Sequence, residues 1–231
     1  MKLLLTSGGV TNGSIRTGLE NLLGKTISES SALCIPTAQY GHPWCTPKTM
    51  WNFVSGQEAT HMTGLGWSSV GLLELLALPT MNKSRWLPWL DATDVLLVDG
   101  GDAVYLRHWL HASGLWEELL NFPDLVWVGV SAGSMVLTPR IGREFVTSGS
   151  KGLEASVEDP SAPADQTLGL VNFSLFPHLN HPDMPTNTLD AAQKWFQQID
   201  NDAYALDDQS AVSVVNGERT VISEGTCIQL G

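Results

Sequence analysis

Leu125-Val126-Trp127-Val128-Gly129-Val130-Ser131-Ala132-Gly133 is the stretch that decides the architecture. An apolar run leads straight into Gly-x-Ser-x-Gly, and residues 132–137 then read as the start of a helix that Pro139 soon interrupts. A strand that ends in this pentapeptide and turns into a helix is the nucleophile-elbow pattern. So tight a turn needs small neighbours around the serine, which Gly129, Ala132 and Gly133 supply. It exposes the hydroxyl at the mouth of a sheet and leaves the Ala132 N–H to meet an oxyanion. The same letters arise in plain Gly- and Ser-rich turns, but such turns need neither the strand before nor the helix after.

Outward from the elbow, short apolar runs alternate with helical patterns, the signature of a parallel sheet with crossover helices. The runs predict strands at residues 2–6, 32–36, 69–73, 94–99 and 125–130, and helices at 14–23, 48–63, 83–90, 105–112 and 115–121. Several strands end in polar or Gly-rich loops: Ser7-Gly8-Gly9, residues 37–41, Gly100-Gly101-Asp102 and the elbow itself. In open α/β sheets the ligand crevice lies outside those carboxyl ends, so these loops are candidate walls of one site. Residues 149–167, rich in Ser, Pro, Ala, Asp and Glu, read as a long surface excursion. Residues 168–177 read as extended and 186–199 as an amphipathic helix. A hairpin is predicted where residues 211–215 and 220–223 flank Asn216-Gly217.

The 231 residues, 43% hydrophobic, suffice for one sizeable core, so one domain over residues 1–231 is expected. A formal net charge of -12 argues against nucleic acid or an anionic membrane as partner. The three cysteines, Cys34, Cys45 and Cys227, have no metal-ligand spacing, and Cys34 reads as a small core residue. No metal or organic cofactor is implied. The apolar N-terminal stretch is too short for a signal peptide and no run approaches a membrane span, so a cytoplasmic location is expected.

A serine nucleophile needs a base and an acid. His61, His108 and His111 lie in helical patterns and read as exposed or core-edge histidines. His42 sits in a loop after the second strand. His178 follows Phe176-Pro177 at the end of an apolar run, where proline restricts the backbone, and His181 is its competitor. Downstream, Tyr204-Ala205-Leu206 reads as a short strand ending in Asp207-Asp208, either of which suits an orienting carboxylate or a solvated turn. An α/β-hydrolase runs Ser, Asp, His along the chain; here no histidine follows His181, and the order Ser131, His178, Asp208 argues against that fold.

Six segments together resemble the peptidase E (α-aspartyl dipeptidase) family, with cyanophycinase a more distant relative. They are residues 1–9, Cys34-Ile35-Pro36-Thr37-Ala38, residues 99–106, Gly129-Val130-Ser131-Ala132-Gly133-Ser134-Met135, residues 172–178 and residues 206–211, in family order over nearly the whole chain. The resemblance implies a flavodoxin-like, class I glutamine amidotransferase-like α/β/α fold with a mainly parallel sheet and a C-terminal β-hairpin. It implies Ser131 as nucleophile, His178 as base and Asp208 as acid, where the family usually has glutamate, so Asp207 stays open. The N–H groups of Gly101 and Ala132 would form the oxyanion hole.

The expected activity is hydrolysis of a small peptide or amide, with Asp102, Tyr40 and His181 as candidate substrate contacts. The family holds an N-terminal aspartate with an arginine after the histidine, but here none occurs between His178 and Arg219. Strict specificity for N-terminal aspartate is therefore not expected unless His181, Arg140 or Arg143 substitutes. A non-catalytic binding member of the fold, and an esterase or acyltransferase using the same triad, are the alternatives.

Overall fold

Five short β-forming runs become parallel neighbours: β1 (Lys2–Thr6), β2 (Ser31–Ile35), β3 (Ser69–Leu72), β4 (Val95–Val98) and β5 (Val126–Val130). The structure is a computed structural model and describes residues 1–58, 60–150 and 163–231. The main sheet has seven strands in the order β3-β2-β4-β5-β1 followed by β8 (Ser210–Val215) and β9 (Glu218–Ser223), an antiparallel pair. β4 and β5 are buried along their whole length, as unalternating Val-Leu-Leu-Val and Val-Trp-Val-Gly-Val require of strands covered on both faces.

Helices cover those faces. One core packs Leu4, Cys34, Leu97 and Val128 against Ile15 and Leu19 of α1 (Gly13–Leu23) and Phe53 of α2 (Pro47–Ser55). The alternate residues Leu5, Leu96 and Trp127 pack with α3 (Lys83–Asp91), α4 (Ala103–Ala112) and α5 (Leu115–Leu119). The expected three-layer α/β/α arrangement is thus the observed one. The hairpin forms as its Asn-Gly dictates, with φ of 52° at Asn216 and 83° at Gly217.

The predicted helix 48–63 is shorter in the structure: α2 stops at Gly56, which adopts φ 73° as a left-handed cap. The helix after the elbow, α6 (Ala132–Met135), has one turn. Within the stretch read as extended, only β6 (Ser174–Phe176) is a strand. The helical reading of 186–199 narrows to α7 (Leu189–Phe196), capped by Thr188. Residues 151–162 of the surface excursion lie outside the described residues.

A second sheet has no counterpart in the sequence reading. β6 pairs parallel with β7 (Ala203–Leu206), and β10 (Cys227–Leu230) pairs antiparallel with β7. Trp195 of α7 is buried against this sheet with Phe176 and Ala205, and its ring N–H donates to the Ile141 carbonyl at 2.7 Å. No described helix is long and apolar enough to cross a membrane.

Register places the loops that matter. Thr6 pairs with Val130 and Val98 with Gly129, so the chains leaving β1, β4 and β5 emerge side by side. Phe176 pairs with Ala205, so the chains leaving β6 and β7 also emerge together. The short turn from β7 into β8, whose Ala211 pairs with Thr6, joins the two groups of strand ends.

Candidate active site

β5 delivers Ser131 in a conformation, φ 51° and ψ -114°, that non-glycine residues rarely adopt and that costs about 1–3 kcal/mol. Its surroundings hold it there. The Ser131 N–H donates to the Thr6 carbonyl at 3.1 Å, and its carbonyl accepts from the N–H groups of Ser134 and Met135 at 2.9 Å. The buried Trp127 ring donates to the Gly133 carbonyl at 2.9 Å, which ties the strand to the far side of the turn. A side chain at Gly129 would overlap the Gly133 carbonyl, and one at Gly133 would overlap that of Val98. The small residues of the motif are a packing requirement of this turn.

Gly101 lies at the end of β4, beside the elbow, at φ 136°, where a side chain would overlap the Ala38 carbonyl. A β-carbon on its neighbour Gly100 would stand 3.4 Å from Ser131 Cβ, so this loop passes directly over the serine. Among the described residues, the N–H groups of Gly101 and Ala132 make no backbone hydrogen bond outside the regular elements. Ala132 is the first residue of α6, whose N–H has no partner within the helix.

His178 and Asp208 meet across the second pair of strand ends. Nδ1 of His178 lies 2.7 Å from Asp208 Oδ1, so an ionised Asp208 makes Nδ1 the protonated nitrogen and leaves Nε2 to accept a proton. Ser7, fully buried after β1, closes a triangle with them. Its hydroxyl donates to Asp208 Oδ1 at 2.8 Å and accepts the His178 backbone N–H at 2.7 Å. His178 itself has φ 58°, and this hydroxyl is what the left-handed backbone turns toward. Burial pushes the Asp208 carboxyl up, but hydrogen bonds from His178 and Ser7, with the charges of His178 and His181, outweigh it and hold Asp208 below its ordinary range.

The two adjacent aspartates have separate tasks. Asp207 accepts from the Gln209 N–H at 3.0 Å, the Ser210 hydroxyl at 2.7 Å and the Thr226 N–H at 2.5 Å, and so staples the turn between the sheets. His181 is a second imidazole at the shared carboxylate, its Nε2 3.4 Å from Asp208 Oδ2.

Asp102, expected at the substrate, is fully buried. Its carboxylate caps α4 through the Tyr105 N–H at 2.8 Å and holds the Thr147 hydroxyl at 2.5 Å, so it positions the loop instead. Tyr40 is half exposed and, like Trp51, does not line the cavity, whereas His42 and Trp44 from the same loop do.

Ser131 and His178 line one cavity of about 560 Å³, with Gly100 and Gly101 at its edge. Among the described residues no hydrogen bond joins Ser131 Oγ to His178; contacts of this kind tighten when substrate fills the site. Among the described residues no lysine or arginine lines the cavity, whereas Asp99, Glu144 and Asp183 do. The arginines considered as substitutes are elsewhere. Arg140 is bound to the buried Asp165 at 2.9 Å, and Arg143 is exposed outside the cavity.

The model of peptidase family S51 matches residues 3–222. The chain belongs to peptidase family S51. It is therefore a serine peptidase by family. Solved structures agree on the fold. A protein from Listeria monocytogenes EGD-e assigned to peptidase E superposes with a TM-score of 0.63 at 18% identity, over 97% of this chain and 98% of the other. A peptidase from an acI-B1 Actinobacterium superposes at 0.68, again at 18% identity, over 99% and 93%. No curated protein matches the chain.

Ser7 is the site residue that sequence reasoning did not single out. It was visible only as part of a candidate wall, because its two partners lie 171 and 201 positions away.

Proposed function

We propose that this S51 peptidase hydrolyses small peptides or amides through Ser131, His178 and Asp208, with the N–H groups of Gly101 and Ala132 stabilising the oxyanion. The observation that carries the reading is the 2.7 Å contact between His178 and Asp208 at the rim of the cavity that Ser131 enters. Ser131 Oγ attacks the carbonyl carbon as His178 Nε2 takes its proton. The imidazolium so formed is stabilised by Asp208 and then returns the proton to the leaving amine. Water repeats the sequence on the acyl-enzyme. A cavity of about 560 Å³ has room for a dipeptide.

The absence of a cationic side chain from the described lining supports activity on peptides other than those beginning with aspartate. A fluorophosphonate probe tests the reading. Rapid labelling that disappears in Ser131→Ala is the expected result; an inert wild-type protein would mean a binding protein on this fold.

A further inference from the structure

Asp208 has two carboxylate oxygens, and His178 uses one of them. Oδ1 meets His178 Nδ1 at 2.7 Å and accepts the Ser7 hydroxyl at 2.8 Å, while Oδ2 faces Nε2 of His181 at 3.4 Å. Gly8 packs flush against the same side chain, since a β-carbon there would stand 2.5 Å from Asp208 Cβ. The Asp208 side chain is nevertheless 26% exposed, so a free Oδ2 would let the carboxylate turn about its Cβ–Cγ bond toward water.

His181, expected at the substrate, does not line the cavity. Its ring stands against the carboxylate and edge-on to the His178 ring, with centroids 6.0 Å apart. Its other nitrogen decides where its hydrogen sits. Nδ1 lies 3.1 Å from the Asp183 backbone N–H, which can only donate, so Nδ1 accepts and the neutral ring carries its hydrogen on Nε2. Nε2 is the nitrogen that faces Asp208. The two imidazoles therefore hold opposite tautomers beside one carboxylate, Nδ1–H on His178 and Nε2–H on His181.

The backbone is arranged for this pairing. The His181 N–H donates to the His178 carbonyl at 3.1 Å, and the His181 carbonyl accepts the Met184 N–H at 3.0 Å. The Asn180 N–H donates to the Asn187 carbonyl at 2.6 Å and closes the loop. His178 and Asn180 both have φ 58°, in the left-handed region. Two such non-glycine residues in one turn persist only where their surroundings over-determine them, and here they bring both rings onto the same side chain.

We propose that His181 is a positioning residue of the hydrolytic reaction: locked by the Asp183 backbone as the Nε2–H form, it holds Asp208 Oδ2 and so keeps Oδ1 aligned on His178. This rests on Ser131, His178 and Asp208 acting as proposed above, and it adds a second imidazole behind them. His181 gives up no proton during the cycle; the Ser131 proton passes to His178 Nε2 alone. Its contribution is a fixed N–H dipole beside Oδ2, which favours the ionised carboxylate that the His178 imidazolium needs.

Two substitutions separate the N–H from the ring. His181→Gln gives up the ring but returns an amide N–H near the place of Nε2, whereas His181→Phe keeps the ring and loses the N–H. The measure is the rate at which a fluorophosphonate labels Ser131 in the full chain. His181→Phe should react about tenfold or more slowly than wild type, and His181→Gln within about threefold of it. A residue that only packs gives the reverse order, with phenylalanine the better replacement. Nitrogen NMR of the neutral rings in the wild-type protein should find the hydrogen on Nε2 of His181 and on Nδ1 of His178, and this serves if the variants do not fold. Labelling of His181→Phe at the wild-type rate, a glutamine variant no faster than the phenylalanine one, or a hydrogen on Nδ1 of His181 overturns the proposal and leaves the triad standing. A wild-type protein that the probe does not label, or a His178→Ala variant labelled as fast as wild type, sinks the triad itself.

Discussion

His178 Nδ1 and Asp208 Oδ1 lie 2.7 Å apart although 30 residues separate them, because β6 and β7 are parallel neighbours whose chains leave the small sheet together. The same turn presents Asp207 to the backbone of Thr226, the residue before β10. Two consecutive carboxylates thus divide between the His178 imidazole and the backbone of the turn, since successive residues leaving a strand project to opposite sides.

Asp208→Asn should lower kcat by about 10³- to 10⁴-fold, because an amide no longer fixes the imidazole tautomer or stabilises the imidazolium. Asp207→Asn should leave kcat within an order of magnitude and instead lower stability by about 1–3 kcal/mol through its three weakened hydrogen bonds. Turnover and thermal melts on the same two variants check the assignment. A reversed pattern would make Asp207 the acid.

Ser7→Ala removes the hydroxyl that His178 and Asp208 share. We expect kcat to fall about 10- to 100-fold with little change in KM, since the loss misplaces the base without touching substrate. Asp208 also loses one of the hydrogen bonds that hold its carboxyl down, so its titration, followed by carbon NMR, should move to higher pH. An unmoved titration would argue that Ser7 is only packing.

Glycines at the elbow should separate from glycines elsewhere. Gly133→Ala drives a methyl group into the Val98 carbonyl and should cost about 3 kcal/mol or more, or abolish folding. Gly24→Ala meets nothing within 4 Å and pays only for its φ of 71°, about 1 kcal/mol. Denaturant unfolding of both variants makes the comparison.

The buried carboxyl of Glu58 predicts a pH-dependent penalty. Its folded pKa of about 7 lies above the ordinary 4.5, so the folded state binds the proton more tightly and stability falls as pH rises from about 4.5 to about 7. Glu58→Gln should flatten that part of the profile and be the more stable protein at pH 8, by up to about 3 kcal/mol at 1.36 kcal/mol per pK unit. Unfolding free energies at pH 5 and pH 8 decide it. A wild-type profile that rises over this interval, with Glu58→Gln following it in parallel, would show that Glu58 ionises freely.

The α/β/α layering and the elbow were legible along the chain because they depend on local chemistry. Unbroken apolar runs specify strands buried on both faces, and Gly129, Ala132 and Gly133 specify a turn that larger residues would block. Asn216-Gly217 likewise encodes its own hairpin. The second sheet was not legible, since β6 and β10 are too short to show a period and are strands only because β7 lies between them. Periodicity says which residues face inward, but not which strand end lies beside which. Only the tertiary pairing separates Asp208 from Asp207, brings Ser7 to His178 and makes Asp102 a helix cap. Each of those outcomes depends on contacts between distant segments, which no local pattern of residues contains.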